Sequence, residues 1–258
     1  MADETQNHID GDRRTTQRRA ADQAVAERSL DDMLDLMVHE LRNPIAVVKG
    51  FASTFTHSIE KLDREQLVTG AQALLRASDR LDALLNSFAE ARSVETEDVP
   101  LHRTDILLSR LVSDTVEEQS VIAAGHSLSV TIHDDVLLHV DEVRIRQVLT
   151  NLISNAVKYS PARAPIEVTA SRHGDKAHIR VKDHGTGIPA EQAEWIFHKF
   201  SRFAEGVAGT GLGLYIARGL ARAHGGNLLL SDSNADGCTF LLELPIHESA
   251  SSQDHQPR

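Results

Sequence analysis

The sequence predicts two domains of different class: a helical hairpin that pairs with a second copy of itself into a four-helix bundle, followed by a mixed α/β domain. Three observations carry this expectation. Apolar residues recur every seven positions between Leu30 and Ala91. From Val99 onward, short apolar strands alternate with helical stretches. Between the two lies "SVETEDVP", charged and proline-terminated, the composition of a domain boundary.

In the first domain Leu30, Met37, Pro44 and Phe51 form one seven-residue row, and Leu34, Leu41, Val48 and Phe55 another. After "THSIEKLDRE" the second helix brings Leu67, Leu74, Leu81 and Phe88, with Gly70, Ala77, Leu84 and Ala91 between them. One hairpin cannot cover so much apolar stripe, so the expected assembly is a homodimer. Within the first helix stands "MVHELRNPIAVVKG". Proline in a helix interior costs about 3 kcal/mol, so Pro44 marks either a packing bend or a functional site. His39 sits two residues past the core position Met37, where the register points it away from the seam. "HELRN" puts Asn43 where a zinc-protease helix needs its second histidine, which removes that reading.

The expected divisions are a tail and connector helix over 1–28, the hairpin over 29–95, the α/β domain over 99–246 and a disordered tail over 247–258. Strands are expected at "LSVTI", "LLHV", "IEVTA", "AHIRV", "NLLL" and "CTFLLEL", and helices at about 105–124, 141–159 and 211–224. The composition of the 258 residues, 41% hydrophobic and 25% charged, fits a globular protein. No apolar run approaches the ~18 residues that cross a bilayer, and the N-terminus lacks a signal-peptide pattern. A formal charge of -11 argues against general nucleic-acid binding. The single cysteine, Cys238, excludes an internal disulfide and fits a reducing compartment, so the expected location is cytoplasmic.

Three stretches of the α/β domain carry chemistry. The helix "DEVRIRQVLTNLISNAVKYSP" buries Ile145, Val148, Leu149, Leu152, Ile153 and Ala156. Along another side run Arg144, Gln147, Asn151, Asn155 and Lys158, spaced 3, 4, 4 and 3. A solvated helix face is the plain reading. Asparagine, however, is a poor mid-helix residue, and this stripe suits a hard cation and phosphates. The second stretch, "AHIRVKDHGTGIPAE", ends a strand in Asp183, and Gly185 and Gly187 then permit a tight turn close to a ligand. Either an ordinary turn or an adenine-amino contact through Asp183 satisfies it. In "GVAGTGLGLYIARGLARAHGG", Gly209, Gly211 and Gly213 lead into a helix whose N-terminus presents amide N–H groups to phosphate. It is neither a Rossmann nor a Walker loop. The polar "FHKFSRFAEGVA" before it reads as a lid.

With "HELRNP" in front, these stretches resemble the sensor histidine kinases of two-component signalling: a dimerisation and phosphoacceptor domain followed by an ATP-binding α/β sandwich of the GHKL (Bergerat) fold. The resemblance covers about residues 28–245. Its boxes lie around His39, from Asn151 to Lys158, from Asp183 to Gly187, around Phe197 and Phe200, and from Gly209 to Gly213, with "DGCTF" closing the pattern.

The resemblance implies that His39 takes the γ-phosphate of ATP and passes it to an aspartate of a response-regulator receiver domain. Glu40 is implied as general base or orienting partner. Asn43 is implied as the residue that positions a water for dephosphorylating the regulator. Asn155 is the implied Mg²⁺ ligand, Lys158 a phosphate contact, Asp183 the adenine contact, and Tyr159 packs on the nucleotide. Asn151, Gly185, Gly187, Phe200 and the loop of Gly209, Thr210, Gly211, Leu212 and Gly213 complete the nucleotide site, with Arg202 steadying charge on the transferring phosphoryl group. ATPases of the gyrase type place a glutamate four residues before the metal-binding asparagine. Here that residue is Asn151, which cannot serve as a base. A serine kinase of the anti-sigma class lacks the hairpin, and a dead scaffold is opposed by the intact boxes. No sensory domain is legible, so an upstream sensor domain or sensory partner is implied.

Overall fold

The computed structural model describes residues 37, 38, 40–123, 125–201 and 210–247. His39, Arg202 and Gly209, the heptad residues Leu30 and Leu34, and the expected tail at 1–28 and most of that at 247–258 lie outside them. The chain divides into two compact units, residues 1–85 and 86–258.

In the first unit, α1 (residues 40–58) continues helically through Pro44. It runs into a 3-10 turn, Ile59–Lys61, and then α2, Arg64–Glu95, whose residues 86–95 belong to the second unit. Asp63 starts α2 with a reciprocal cap: its carboxylate accepts from the Gln66 amide at 2.8 Å, and Gln66 Oε1 accepts from the Asp63 amide at 3.1 Å. The row of Gly70, Ala77 and Leu84 is buried, whereas Leu67, Leu74 and Leu81 are half-buried. The small residues are the close-contact row because the Phe51 and Phe55 rings press on α2 there. A Cβ at Gly70 would lie 2.5 Å from Phe55 Cζ. Glu40 against Arg80 follows the same antiparallel register. Val68, Leu75 and Leu85 remain exposed.

The second unit layers helices on a five-stranded sheet of order β2-β4-β5-β7-β6, where only β2 and β4 run parallel. The strands are β2 Leu128–Ile132, β4 Ile166–His173, β5 Lys176–Lys182, β6 Asn227–Asn234 and β7 Gly237–Pro245. The helices are α3 Leu108–Ile122, α4 Glu142–Tyr159 and α5 Gly213–Ala223. One sheet face buries Ile166, Val168, Ala177, Ile179, Val181 and Leu242. Against it α4 buries the same six residues that its periodicity predicts, and α5 buries Ile216, Ala217, Leu220 and Ala221.

A short strand corrects the expected helix at 105–124. β1, Thr104–Leu107, pairs antiparallel with β3, Leu137–Val140, and α3 begins only at Leu108. Ile106 is buried in that pairing. Its apolar neighbours continue into α3 with helical spacing, and the strand's partner is remote in sequence, so local periodicity reads the two as one helix.

Two anchors set α4 in place. Asp141 caps it, accepting from the Arg144 amide at 3.2 Å and the His102 amide at 2.8 Å. Burial pushes the Asp141 carboxyl up, but those two amide bonds and the nearby Arg144 guanidinium outweigh it and hold the group below its ordinary range. His224, buried behind α5, donates from Nδ1 to the Leu220 carbonyl at 2.8 Å and accepts at Nε2 from the Asp141 amide at 3.0 Å. Burial lowers its pKa, so it is neutral with a single tautomer.

Candidate functional site

The last turns of α4, the loop after β5 and the N-terminus of α5 converge on a pocket of about 290 Å³. From α4 come Asn151, Asn155, Lys158 and Tyr159. Asn155 Nδ2 donates to Asn151 Oδ1 at 3.2 Å, leaving the Asn155 carbonyl oxygen outside that bond. The Lys158 ammonium lies 5.2 Å from the centre of the Tyr159 ring. Arg144 and Gln147, on the same helical stripe, do not reach the pocket. Glu90 near the end of α2 accepts from both, at 2.9 and 2.6 Å.

Asp183 stands at the pocket wall, 5% exposed. Its Oδ1 accepts from the amides of Gly185 at 2.8 Å and Cys238 at 3.2 Å. Burial raises its pKa against the pull of those amides. With one oxygen committed to backbone, the carboxylate has a fixed orientation and its second oxygen remains for a donor on a ligand.

Several glycines of the wall have neighbours too close for a side chain, Gly187 against backbone and Gly213 against the Asn151 side chain among them. Gly187 has φ +72°, and a Cβ there would lie 2.0 Å from the Asn234 carbonyl. A Cβ at Gly213 would lie 2.2 Å from Asn151 Nδ2. The turn after Gly187 is held to β6 by Ser233, whose hydroxyl accepts from the Ile188 amide at 2.6 Å and donates to the Ile188 carbonyl at 2.9 Å. Thr210, Gly211 and Gly213 bring the α5 N-terminus to the pocket, and the first turn of α5 carries no acidic side chain. Positive helix ends of this kind attract phosphate.

Of the residues predicted for the site, Asn151, Asn155, Lys158, Tyr159, Asp183, Gly185, Gly187, Thr210, Gly211 and Gly213 line this pocket. Leu212 does not: it is fully buried, its amide donating to Thr210 Oγ1 at 3.2 Å. Phe200 does not line it either and occupies a left-handed turn at φ 64°. The aromatic segment before it is anchored by Phe197, which is buried edge-on against Phe240 with the Arg218 guanidinium 4.6 Å above its ring. Glu40 and Asn43 lie on α1 in the first unit, Glu40 buried and Asn43 exposed. Sequence reasoning missed Ser154, Thr186, Ile188, Ile196, Ser201, Leu214, Cys238 and Phe240 among the lining residues. Thr186 sits between the two glycines that were read, and Ser154 next to Asn155, so adjacency was the available signal. Ile188, Ile196, Ser201 and Leu214 come from the loops, the 3-10 turn and the helix around the predicted stretches, and Cys238 and Phe240 reach the pocket through β7.

A fold of this kind, with its polar pocket at the end of α4, defines a class. Residues 140–248 match the family described as histidine kinase-, DNA gyrase B-, and HSP90-like ATPase. Residues 29–96 match the His Kinase A (phospho-acceptor) domain. A sensor histidine kinase of Pseudomonas aeruginosa, AruS, is 35% identical over 251 residues, which cover 91% of this chain and 25% of that protein. Full-length ShkA, solved in complex with AMPPNP, is 26% identical with a TM-score of 0.63, over 86% of this chain and 47% of that one. Histidine kinase AdeS of Acinetobacter baumannii, at 21% identity, shares the fold with a TM-score of 0.66 over 81% of this chain and 98% of that one. With both domains in that order, the chain belongs to the sensor histidine kinases. It spans 25–30% of the length of the first curated relatives it matches. Among the described residues no helix is long and apolar enough to cross a membrane.

Proposed function

We propose that this chain binds ATP in the pocket at the end of α4, transfers the γ-phosphoryl group to His39, and passes it to an aspartate of a response-regulator receiver domain. The observation that carries the reading is the convergence of Asn155, Lys158, Asp183 and the α5 N-terminus on one pocket, in a chain whose residues 29–96 match a phosphoacceptor domain. ShkA, of the same family, is solved with the ATP analogue AMPPNP.

The residues divide the work by chemistry. Asp183 accepts a hydrogen bond from the adenine amino group through the oxygen not committed to backbone. Lys158 and the amides at the α5 N-terminus receive phosphate oxygens. Asn155 offers a neutral, hard carbonyl oxygen, which fits Mg²⁺, and its amide nitrogen is already occupied by Asn151. Mg²⁺, when bound, neutralises charge on the phosphate oxygens. A ring nitrogen of His39 attacks the γ-phosphorus, the bond from that phosphorus to the β,γ-bridging oxygen breaks, and ADP leaves. Glu40, beside His39 in sequence, takes the proton from the other ring nitrogen or holds it in place. Arg202 steadies the phosphoryl group in flight.

Two finer assignments accompany this. Asn43, exposed one turn beyond His39, positions a water that hydrolyses the aspartyl phosphate of the regulator. The hairpin works as a homodimer, since the exposed Val68, Leu75 and Leu85 of α2 call for a second hairpin. The receptor's sensing portion is supplied by an upstream domain or partner. The test is incubation with Mg²⁺ and γ-labelled ATP, comparing wild type with His39→Gln. The reading requires label that survives alkali, is lost in acid and is absent from the variant. Acid-stable label, or label that persists in His39→Gln, refutes it.

A further inference from the structure

Glu40 is 5% exposed and adjacent to the proposed phosphoacceptor, yet it carries a group that is ionised in water at neutral pH. A carboxylate in so dry a position persists in its charged form only with a partner. Arg80, reaching across the hairpin from α2, supplies one: its Nη2 lies 3.3 Å from Glu40 Oε2, with the Glu40 side chain 7% exposed and that of Arg80 47% exposed. Among the described residues, the other charged groups within a helical turn of Glu40 or Arg80 are Arg42 on α1 and Arg76, Asp79 and Asp82 on α2, all exposed, with His39 next to Glu40 in the chain, and the Arg80 pair is not the only interaction of Glu40. Arg80 is one residue before the apolar position Leu81, so its guanidinium reaches the seam from the rim.

We propose that Arg80 is a positioning residue for phosphorylation of His39, acting through Glu40: it keeps the Glu40 carboxylate ionised and oriented, and so sets the pH range over which that carboxylate serves as a base. The proposal rests on the assignment of Glu40 as the base or orienting partner of His39. Removing the guanidinium takes away one interaction that favours the charged form and shifts the buried carboxyl towards its protonated state, which cannot accept a proton. The activity lost on removing Arg80 is therefore recovered at higher pH, a signature that a purely structural arginine does not give. Arg80→Lys retains the charge without the planar fork and restores the behaviour in part.

The experiment uses the full chain and two readouts. The first is the ¹³C carboxyl titration of Glu40, assigned with Glu40→Gln, in wild type and Arg80→Gln. The second is the initial rate of label transfer from Mg-ATP across pH 5.5–9 in those proteins, Arg80→Lys and the double variant. Removing the guanidinium is expected to move the Glu40 midpoint upward by about one pH unit, the low end for an opposite charge nearby because Arg80 is half exposed. The acid limb of the rate profile moves by the same amount, so the rate falls about tenfold at pH values below both midpoints and is unchanged above them, and the KM for ATP is unchanged. In the Glu40→Gln background, Arg80→Gln changes nothing further. An unmoved Glu40 midpoint, an unmoved rate limb, or an equal loss of rate in the Glu40→Gln background overturns the proposal. Full activity in Glu40→Gln alone sinks the base assignment, and the role of Arg80 falls with it. The carboxyl titration separates that failure from a mistaken ion pair.

Discussion

Replacing His224 by phenylalanine keeps the ring volume and removes both hydrogen bonds that join α5 to the cap of α4. The Leu220 carbonyl keeps a second donor in the His224 amide at 3.3 Å, so its loss is partial. The Asp141 amide loses its acceptor inside a residue pair that is 3% and 6% exposed. A buried donor left unsatisfied costs about 1–3 kcal/mol. His224→Phe is therefore expected to destabilise the α/β unit by about 2 kcal/mol, a fall of about 4–8 °C in Tm for a unit of this size. His224→Ala adds a cavity and costs more. The pH dependence follows from the lowered pKa of the buried imidazole. Below the ordinary value of 6.5 the unfolded chain takes a proton that the folded one refuses, so wild-type stability falls as pH drops through that region. Above it the contribution is flat. Burial lowers His178 in the same direction, so the informative quantity is the difference between wild type and His224→Phe. Denaturant titrations followed by the fluorescence of Trp195, the only tryptophan in the chain, give that difference at pH 7.5, 6.0 and 5.0. It should be largest at pH 7.5 and shrink towards pH 5.0. Equal stability of the two proteins at pH 7.5, or a difference independent of pH, refutes the reasoning.

Three further outcomes are expected. Gly213→Ala drives a methyl to 2.2 Å from Asn151 Nδ2, displaces the Asn151–Asn155 pair, and lowers ATP affinity about tenfold, measured by calorimetry, with fold retained by circular dichroism. Asp183→Asn keeps an oxygen for the Gly185 and Cys238 amides and removes a buried charge whose pKa is raised. A raised carboxyl pKa means that the ionised form costs stability above 3.8, so the variant should melt no lower than wild type at pH 7.5 while binding ATP at least about tenfold more weakly. Gly70→Val places side chain where Phe55 Cζ would be 2.5 Å from Cβ and should destabilise the hairpin by about 1–3 kcal/mol, read as a lowered helical melting temperature.

What the sequence made legible was what short-range periodicity encodes. The buried face of α4 is read correctly because its residues repeat at helical spacing, and β2 and β3 because turn residues bound them on both sides. β1 is lost because only its pairing with β3 makes it a strand. The stripe from Arg144 to Lys158 is one line on the helix surface, yet its first two members are bound to Glu90 and its last three face the pocket, a division that depends on what packs against each turn. Gly70 reads as a gap-filler in a heptad row, whereas the rings of Phe51 and Phe55 make it a close-contact position. Glu40 and Arg80 meet through the hairpin register and have no local signature, whereas Cys238 and Phe240 lie within the "DGCTF" that closes the family pattern and reach the pocket through β7.

The central claim is that ATP phosphorylates His39, and mapping the modified residue tests it most directly. The chain is incubated with Mg-ATP, kept at alkaline pH, digested, and read by electron-transfer mass spectrometry. The account predicts one added phosphate, on His39, absent when ATP is omitted and absent from Asp183→Asn at limiting ATP. Phosphate on another residue, or none at ATP concentrations that saturate the pocket, contradicts it.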